Sequence, residues 1–132
     1  MGRAAVAFLL LAACWAGALP ASADCKLPAG KHVVLYSTAD DPSVLMWDSR
    51  VRLRDYHAAT FDEAQALLPH ALLAEPGTRA QVVSCAPDYV TSPLSEHPDD
   101  AVGVLVLSGR YKGLTRWVLG SDVRVSRAAG SP

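Results

Sequence analysis

The chain has 132 residues, a formal net charge of −1 and 19% charged side chains. Proteins that hold nucleic acids or anionic membrane surfaces carry an excess of Lys and Arg, so this near-neutral chain predicts neither as a partner. Apart from the expected signal peptide described next, the chain has the length of one small domain with a single modest core.

The first 23 residues have the three parts of a secretory signal peptide. Arg3 supplies the positive charge, Ala4 to Trp15 is an apolar run, and Ala21 to Ala23 offers small residues for a signal peptidase. The run is shorter than the roughly 20 apolar residues that span a bilayer. We therefore expect cleavage after Ala23 and export of residues 24–132 to the periplasm or the extracellular space, with no transmembrane segment after signal removal.

The three cysteines predict two different modifications. The run from Leu11 to Cys14 is similar to the lipobox of bacterial lipoproteins, so a lipid anchor on Cys14 is the alternative to a freely exported protein. Cys25 and Cys85 remain after export, and a single pair in a small exported domain predicts a disulfide. A catalytic thiol at Cys85 is the less favoured alternative, because export promotes oxidation.

Three strands are predicted before the middle of the chain. Lys31 to Ser37 is β-branched and aromatic, and Val44 to Trp47 is a short apolar run. From Arg50 to Tyr56, arginines alternate with Val51 and Leu53, which is the period of a half-buried strand. The arginine row would face either solvent, neutralised by neighbouring aspartates, or an acidic partner.

One helix is predicted after these strands. Thr60 and Glu63 form a capping box, and the helix runs from Phe61 to Leu68, where the following Pro69 ends it. Arg79 to Cys85 then has the composition of a strand. The segment from Ala86 to Asp100 contains three prolines and no periodicity, so we expect an irregular loop.

The end of the chain predicts a hairpin. Ala101 to Ser108 is the most strand-like run of the chain. Residues 109–114 form a turn, and Thr115 to Leu119 is the second strand of the hairpin. Residues 127–132 are small and polar and are expected to fray. Four valines of these strands are expected on the buried face: Val104, Val106, Val118 and Val123.

The run from Val104 to Val118 follows the pattern V-x-V-x-x-G-x-Y-x-G-x-x-x-W-V. This pattern resembles the C-terminal half of bacterial SH3-like domains of the SH3b type. The resemblance implies a strand, a distal hairpin, a return strand, a 3₁₀ turn at Ser121 to Val123 and a short closing strand. The expected fold of residues 24–126 is therefore mainly β: a small SH3-like β-barrel of five to seven strands with one short inserted helix.

The chain departs from that family in two respects. Arg116 stands where these domains usually have Gly, and Leu119 and Asp122 stand where peptide-binding SH3 domains place a Pro and a Tyr. Proline-rich peptides dock on stacked aromatic side chains. The resemblance therefore implies the SH3-like fold for this chain, but it does not imply binding of a proline-rich peptide.

Four residues are the candidates for ligand binding. Tyr111, Trp117 and Tyr89 supply large contact area at little cost in conformational entropy, and Arg116 would favour a carboxylate-bearing ligand. The alternative is that Trp117, like Trp47, only packs in the core.

The sequence predicts no enzyme, metal or cofactor. Its four histidines have no metal-ligand spacing, and it contains no nucleophile elbow, phosphate loop or paired-carboxylate motif. We expect an exported, non-enzymatic SH3-like binding module for a cell-wall peptide or a partner protein. A small secreted inhibitor of an extracellular hydrolase and a structural accessory of an envelope complex are the alternatives.

Overall fold

The computed structural model of the chain describes residues 25–37 and 41–126. The strands in these ranges are β1 (His32–Leu35), β2 (Val44–Trp47), β3 (Ala71–Ala74), β4 (Arg79–Val90), β5 (Asp99–Val106), β6 (Thr115–Leu119) and β7 (Val123–Val125). The helices are α1 (Arg50–Ala58) and α2 (Phe61–Leu67), and 3₁₀ turns lie at Leu68–His70 and Gly120–Asp122. The expected signal peptide, its Cys14 and the expected tail 127–132 lie outside the described residues.

The strands of the described ranges form one antiparallel sheet in the order β3-β2-β6-β5-β4-β1-β7. Strands account for 40% of the described residues, and helices together with the 3₁₀ turns for 22%, so the predicted mainly β fold is confirmed. The sheet curls into a half-barrel. The last strand, β7, pairs with the first, β1, so the two ends of the domain are held together.

The inner face of the curled sheet carries the larger apolar cluster. Side chains alternate along a strand, and Val102, Val104 and Val106 of β5 and Val118 of β6 are buried there. The four valines expected on this face, Val104, Val106, Val118 and Val123, are all buried in this inner cluster, as predicted.

The opposite face of the sheet is covered by the helices. Leu53 of α1 packs there with Trp47 and Ala101, which alternate with the inner-face residues of their strands. Tyr56 of α1 contacts Trp47, with 4.9 Å between ring centroids. We call this second group of buried residues the helix-side cluster; Trp117, Leu119 and Tyr89 are its half-buried members.

The strand predicted from Arg50 to Tyr56 is wrong, because this segment is helix α1. Ser49 caps the helix, its hydroxyl accepting a hydrogen bond from the Arg52 backbone N–H at 3.1 Å. Arg52 also forms an ion pair with Asp48 one helical turn earlier. A strand through these residues would continue its apolar alternation onto Asp55, whereas the helix buries Leu53 alone and leaves Asp55 exposed.

The capping box of α2 is confirmed. The Thr60 N–H donates to Glu63 Oε1 at 2.9 Å, and the Glu63 N–H donates to Thr60 Oγ1 at 3.4 Å. The helix ends at Leu67, one residue earlier than expected, and Pro69 sits within the 3₁₀ turn that follows. The expectation of a single helix is wrong, since α1 and α2 are both present.

The irregular loop predicted from Ala86 to Asp100 is shorter than expected, because strands occupy both of its ends. β4 continues to Val90 and β5 begins at Asp99, so the loop is reduced to residues 91–98. β4 tolerates Pro87 because its pairing with β5 is irregular between Ala86 and Val90. Proline at such a position interrupts no ladder hydrogen bond.

The predicted cysteine pair is confirmed. Cys25 and Cys85 lie at disulfide distance, with their Cα atoms 6.2 Å apart, inside the range that a disulfide bridges without backbone movement. The pair ties the segment before β1 to the middle of β4.

Of the helices in the described ranges, none is long and apolar enough to cross a membrane.

Candidate functional site

Trp117 lies in a row of paired positions that runs across the strands, on the face of the sheet that the helices cover. From β4 to β3 the paired positions are Ser84, Gly103, Trp117, Trp47 and Ala71. A Cβ atom added to Gly103 would lie 3.3 Å from Cη2 and 3.4 Å from Cζ2 of Trp117. The indole of Trp117 therefore lies against the bare backbone of Gly103, and the missing side chain makes room for it.

Two arginines of α1 lie over aromatic rings beside this row. The Arg50 guanidinium carbon is 5.2 Å from the centroid of Tyr89 and 5.9 Å from that of Trp117. Arg54, one helical turn later, is 5.1 Å from the Tyr89 centroid. These distances are within the range of cation–π attraction. We call Arg50, Arg54, Tyr89 and Trp117 the arginine–aromatic cluster.

The charges around this cluster are unbalanced. Arg54 has a loose, exposed contact with Asp55 at 3.5 Å, and the neighbouring Arg52 is paired with Asp48. Arg50 forms no ion pair or hydrogen bond with any of the described residues. The first turn of α1 contains no acidic residue, although the N-terminus of a helix carries partial positive charge. The cluster therefore has an unmatched positive charge at Arg50.

The structure brings together two of the four predicted binding residues. Tyr89 and Trp117 share Arg50, so both belong to one surface. Tyr111 packs instead against the inner cluster at the tip of the β5–β6 hairpin, with Arg110 over its ring at 5.5 Å. Arg116 precedes Trp117 in β6 and therefore faces the other side of the sheet.

Arg50, Arg54 and Gly103 complete the surface. The sequence raised the arginine row as a possible contact for an acidic partner, but it did not group the arginines with Tyr89 and Trp117, and it did not single out Gly103. The arginines were assigned to a strand, which would have separated them from Tyr89. A signal for the helix was present: Ser49 is a favoured N-cap residue, and Arg50 and Arg54 have the spacing of one helix face. Gly103 in the middle of a strand run is likewise typical of a close approach by another group.

A pocket of about 220 Å³ with several polar lining residues lies between α1 and the 3₁₀ turn Gly120–Asp122. Its lining includes Asp41, Ser43, Tyr56, His57 and Asp122. Burial lowers the pKa of His57, an effect that the negative charge of Asp99 opposes. Burial, followed by the charges of Asp99 and Asp41, raises the pKa of Asp122 to about 6. Of the hydrogen bonds among described residues, none joins His57 to Ser43 or to a carboxylate.

One group of potential metal ligands is brought together in the described ranges. Ligand atoms of Cys25, Cys85 and Asp100 lie within 4.8 Å of one another. The two sulfur atoms are paired with each other, and a disulfide sulfur is not the thiolate that metals bind. The group therefore does not make a metal site.

Comparison of the chain with protein-family models, with curated proteins and with solved structures gives no match. Its function is therefore inferred from the residues and geometry of the chain itself.

Proposed function

We propose that the chain is an exported, non-enzymatic interaction module with an SH3-like barrel, and that it binds a peptide or protein partner through the arginine–aromatic cluster. The exposed parts of Tyr89 and Trp117 supply an apolar contact and Arg50 supplies the charge. The proposal combines a fold, a compartment and a binding surface, each with its own support.

The strand order supports an SH3-like barrel. If β2, α1, α2 and β3 are treated as an insertion between β1 and β4, the remaining strands follow the order β7-β1-β4-β5-β6. An SH3-like barrel has this arrangement, in which the fifth strand pairs with the first and the second to fourth form a meander. The 3₁₀ turn Gly120–Asp122 directly before β7 also agrees with the resemblance.

The cysteine pair supports export. Cys25 and Cys85 at disulfide distance are compatible with an oxidising compartment such as the periplasm or the extracellular space. N-terminal sequencing of the exported protein is expected to begin at Asp24. A lipid-modified N-terminus at Cys14 would instead make the protein a lipoprotein.

The unmatched Arg50 is the observation that carries the binding proposal. A guanidinium that lies over two aromatic rings and has no carboxylate partner among the described residues is available to a ligand. The alternative role for Trp117 is packing in the core. Trp47 already fills that role, because it is fully buried and is paired with Trp117 in the sheet. Trp117 itself is half-buried, so part of its ring remains accessible.

A comparison of two arginine variants tests this proposal. Residues 24–132, with Arg50→Gln or Arg52→Gln, are used to capture partners from the native envelope fraction. Arg52 is the matched control, because it lies on the same helix and already pairs with Asp48. The Arg50 variant is expected to lose a partner that the wild type and the Arg52 variant retain, with melting temperatures unchanged. Equal capture by all three proteins would contradict the proposal.

One feature favours the inhibitor of an extracellular hydrolase as a second candidate. In the loop 91–98, Leu94 is 96% exposed. The loop is held by its own hydrogen bonds, with the Leu94 N–H donating to Ser92 Oγ at 3.2 Å and the Ser95 hydroxyl donating to the His97 carbonyl at 3.0 Å. An exposed leucine on an internally bonded loop suits insertion into an enzyme cleft. Inhibition of wall hydrolases that Leu94→Ser abolishes and Arg50→Gln preserves would favour this function.

A further inference from the structure

The rings of the arginine–aromatic cluster have little bare face to offer a ligand. The Cη2 and Cζ2 atoms of Trp117 lie close to Gly103, and the Arg50 guanidinium lies over the ring, 5.9 Å from its centroid. Tyr89 is contacted by the guanidinium groups of both Arg50 and Arg54. A neutral sugar would need an uncovered aromatic face for stacking. The groups that remain available are the N–H edges of the guanidinium and the rims of the rings.

The N–H edges of Arg50 select the chemistry of the ligand. A guanidinium presents a planar fork of donors that matches a carboxylate in two parallel hydrogen bonds. Contact with the rings of Tyr89 and Trp117 holds Arg50 before a ligand arrives, so less side-chain entropy is lost on binding. The adjacent indole rim supplies an apolar contact. The surface therefore suits a carboxylate with an apolar group beside it.

We propose that the cluster binds an acidic segment of a partner polypeptide, in which an Asp or Glu carboxylate pairs with Arg50 and a neighbouring apolar side chain contacts the rim of Trp117. This inference rests on the proposed binding function and names the ligand class of that site. Arg54 adds a second positive charge one helical turn away, although Asp55 partly balances it.

The limited charge of this surface favours a peptide over an anionic polymer. Phosphate polymers are held by many Lys and Arg side chains that follow the backbone. Here the positive charge is confined to one helix face, within a chain whose net charge is −1. Two arginines suffice for one or two carboxylates of a peptide, and the apolar rim beside them matches a side chain rather than a phosphate.

The test uses short labelled peptides of known chemistry and residues 24–132. The acidic probe repeats Glu, Leu, Ser and Gly, a matched probe has Gln in place of Glu, and polygalacturonate and polyphosphate serve as anionic polymers. Fluorescence anisotropy is expected to show that the acidic peptide binds about tenfold more tightly than the Gln peptide. Arg50→Gln is expected to remove this preference, whereas Arg52→Gln retains it, and increasing salt is expected to weaken binding.

The outcomes separate this inference from the proposal on which it rests. Equal binding of the Glu and Gln peptides, or binding of a polymer without the acidic peptide, would overturn the peptide inference. If Arg50→Gln still loses a partner captured from the envelope fraction, the binding function stands with a different ligand. If neither the peptides nor the captured partner respond to Arg50→Gln, both are wrong.

Discussion

Replacement of Asp122 by Asn is expected to stabilise the protein at neutral pH. Asp122 ends the 3₁₀ turn before β7, and its side chain lines the polar pocket beside His57 and Asp41. Its own backbone carbonyl accepts a hydrogen bond from the Tyr36 N–H at 2.8 Å, and this bond does not depend on the side chain. Burial and the charges of Asp99 and Asp41 raise the pKa of the Asp122 carboxyl to about 6.

The pKa sets both the sign and the size of the effect. The ordinary pKa of the carboxyl is 3.8, so the folded protein holds this proton more tightly than the unfolded chain does. The resulting stabilisation is complete below about pH 3.8 and is lost as the pH rises through about 6. The full difference corresponds to about 3 kcal/mol. Asp122 is only half-buried, so solvent screening reduces this to about 1–2 kcal/mol.

Urea unfolding of the wild type and Asp122→Asn between about pH 4 and pH 8 measures the effect. The variant is expected to be about 1–2 kcal/mol more stable at pH 7 and nearly equal to the wild type near pH 4. The pKa of His57 is lowered, so its contribution is lost as the pH falls and opposes that of Asp122. Because both proteins contain His57, the difference between them isolates the Asp122 contribution.

Asp62→Asn is the matched control, because it removes an exposed carboxylate from the first turn of α2. Asp62 favours the helix N-terminus, so this variant is expected to gain no stability at pH 7. A stability difference between wild type and Asp122→Asn that is the same at every pH would refute the reasoning. A loss of stability at pH 7 would refute it as well.

Four further variants test the core and the cysteine pair. Serine at both Cys25 and Cys85 is expected to cost up to about 4 kcal/mol of unfolding free energy, because the pair closes a 60-residue separation; unchanged urea unfolding would contradict this. Gly103→Ala is expected to cost about 1–3 kcal/mol and to shift tryptophan fluorescence, since its Cβ would lie 2.6 Å from Ser84 Oγ and 3.3 Å from Cη2 of Trp117; an unshifted spectrum would argue against the close contact with Trp117. Trp47→Ala is expected to cost about 3–5 kcal/mol by thermal unfolding and Trp117→Ala less than half as much, because only Trp47 is fully buried; equal losses would make Trp117 a packing residue.

Local chemistry makes several elements of this fold predictable from the chain. The capping box of α2 depends on Thr60 and Glu63, three residues apart, and needs no tertiary contact. The alternating valines of β5 and β6 indicate a strand with one buried face, and Val104 and Val118 are buried as expected. The cysteine pairing follows from there being two cysteines after the expected signal peptide. In each case the residues that decide the structure are neighbours or have one possible partner.

The arginine–aromatic cluster depends on contacts between distant parts of the chain. Arg50 meets Tyr89 and Trp117 only because α1 packs across the sheet and β4 continues past Pro87. Over four residues, the alternation of arginine and apolar side chains from Arg50 fits a strand or a helix equally well. Tertiary packing selects the helix, because only that conformation buries Leu53 against Trp47 and leaves Asp55 in water.

The chain by itself therefore determined the mainly β character, the capped helix, the buried valines and the cysteine pair, each of which rests on short-range chemistry or on a single possible partner. Tertiary structure alone decided that α1 is a helix, and that Tyr89 and Trp117 share a surface from which Tyr111 and Arg116 are separated. The physical reason is that a side chain's neighbours across a sheet depend on strand order and register, which no local pattern encodes.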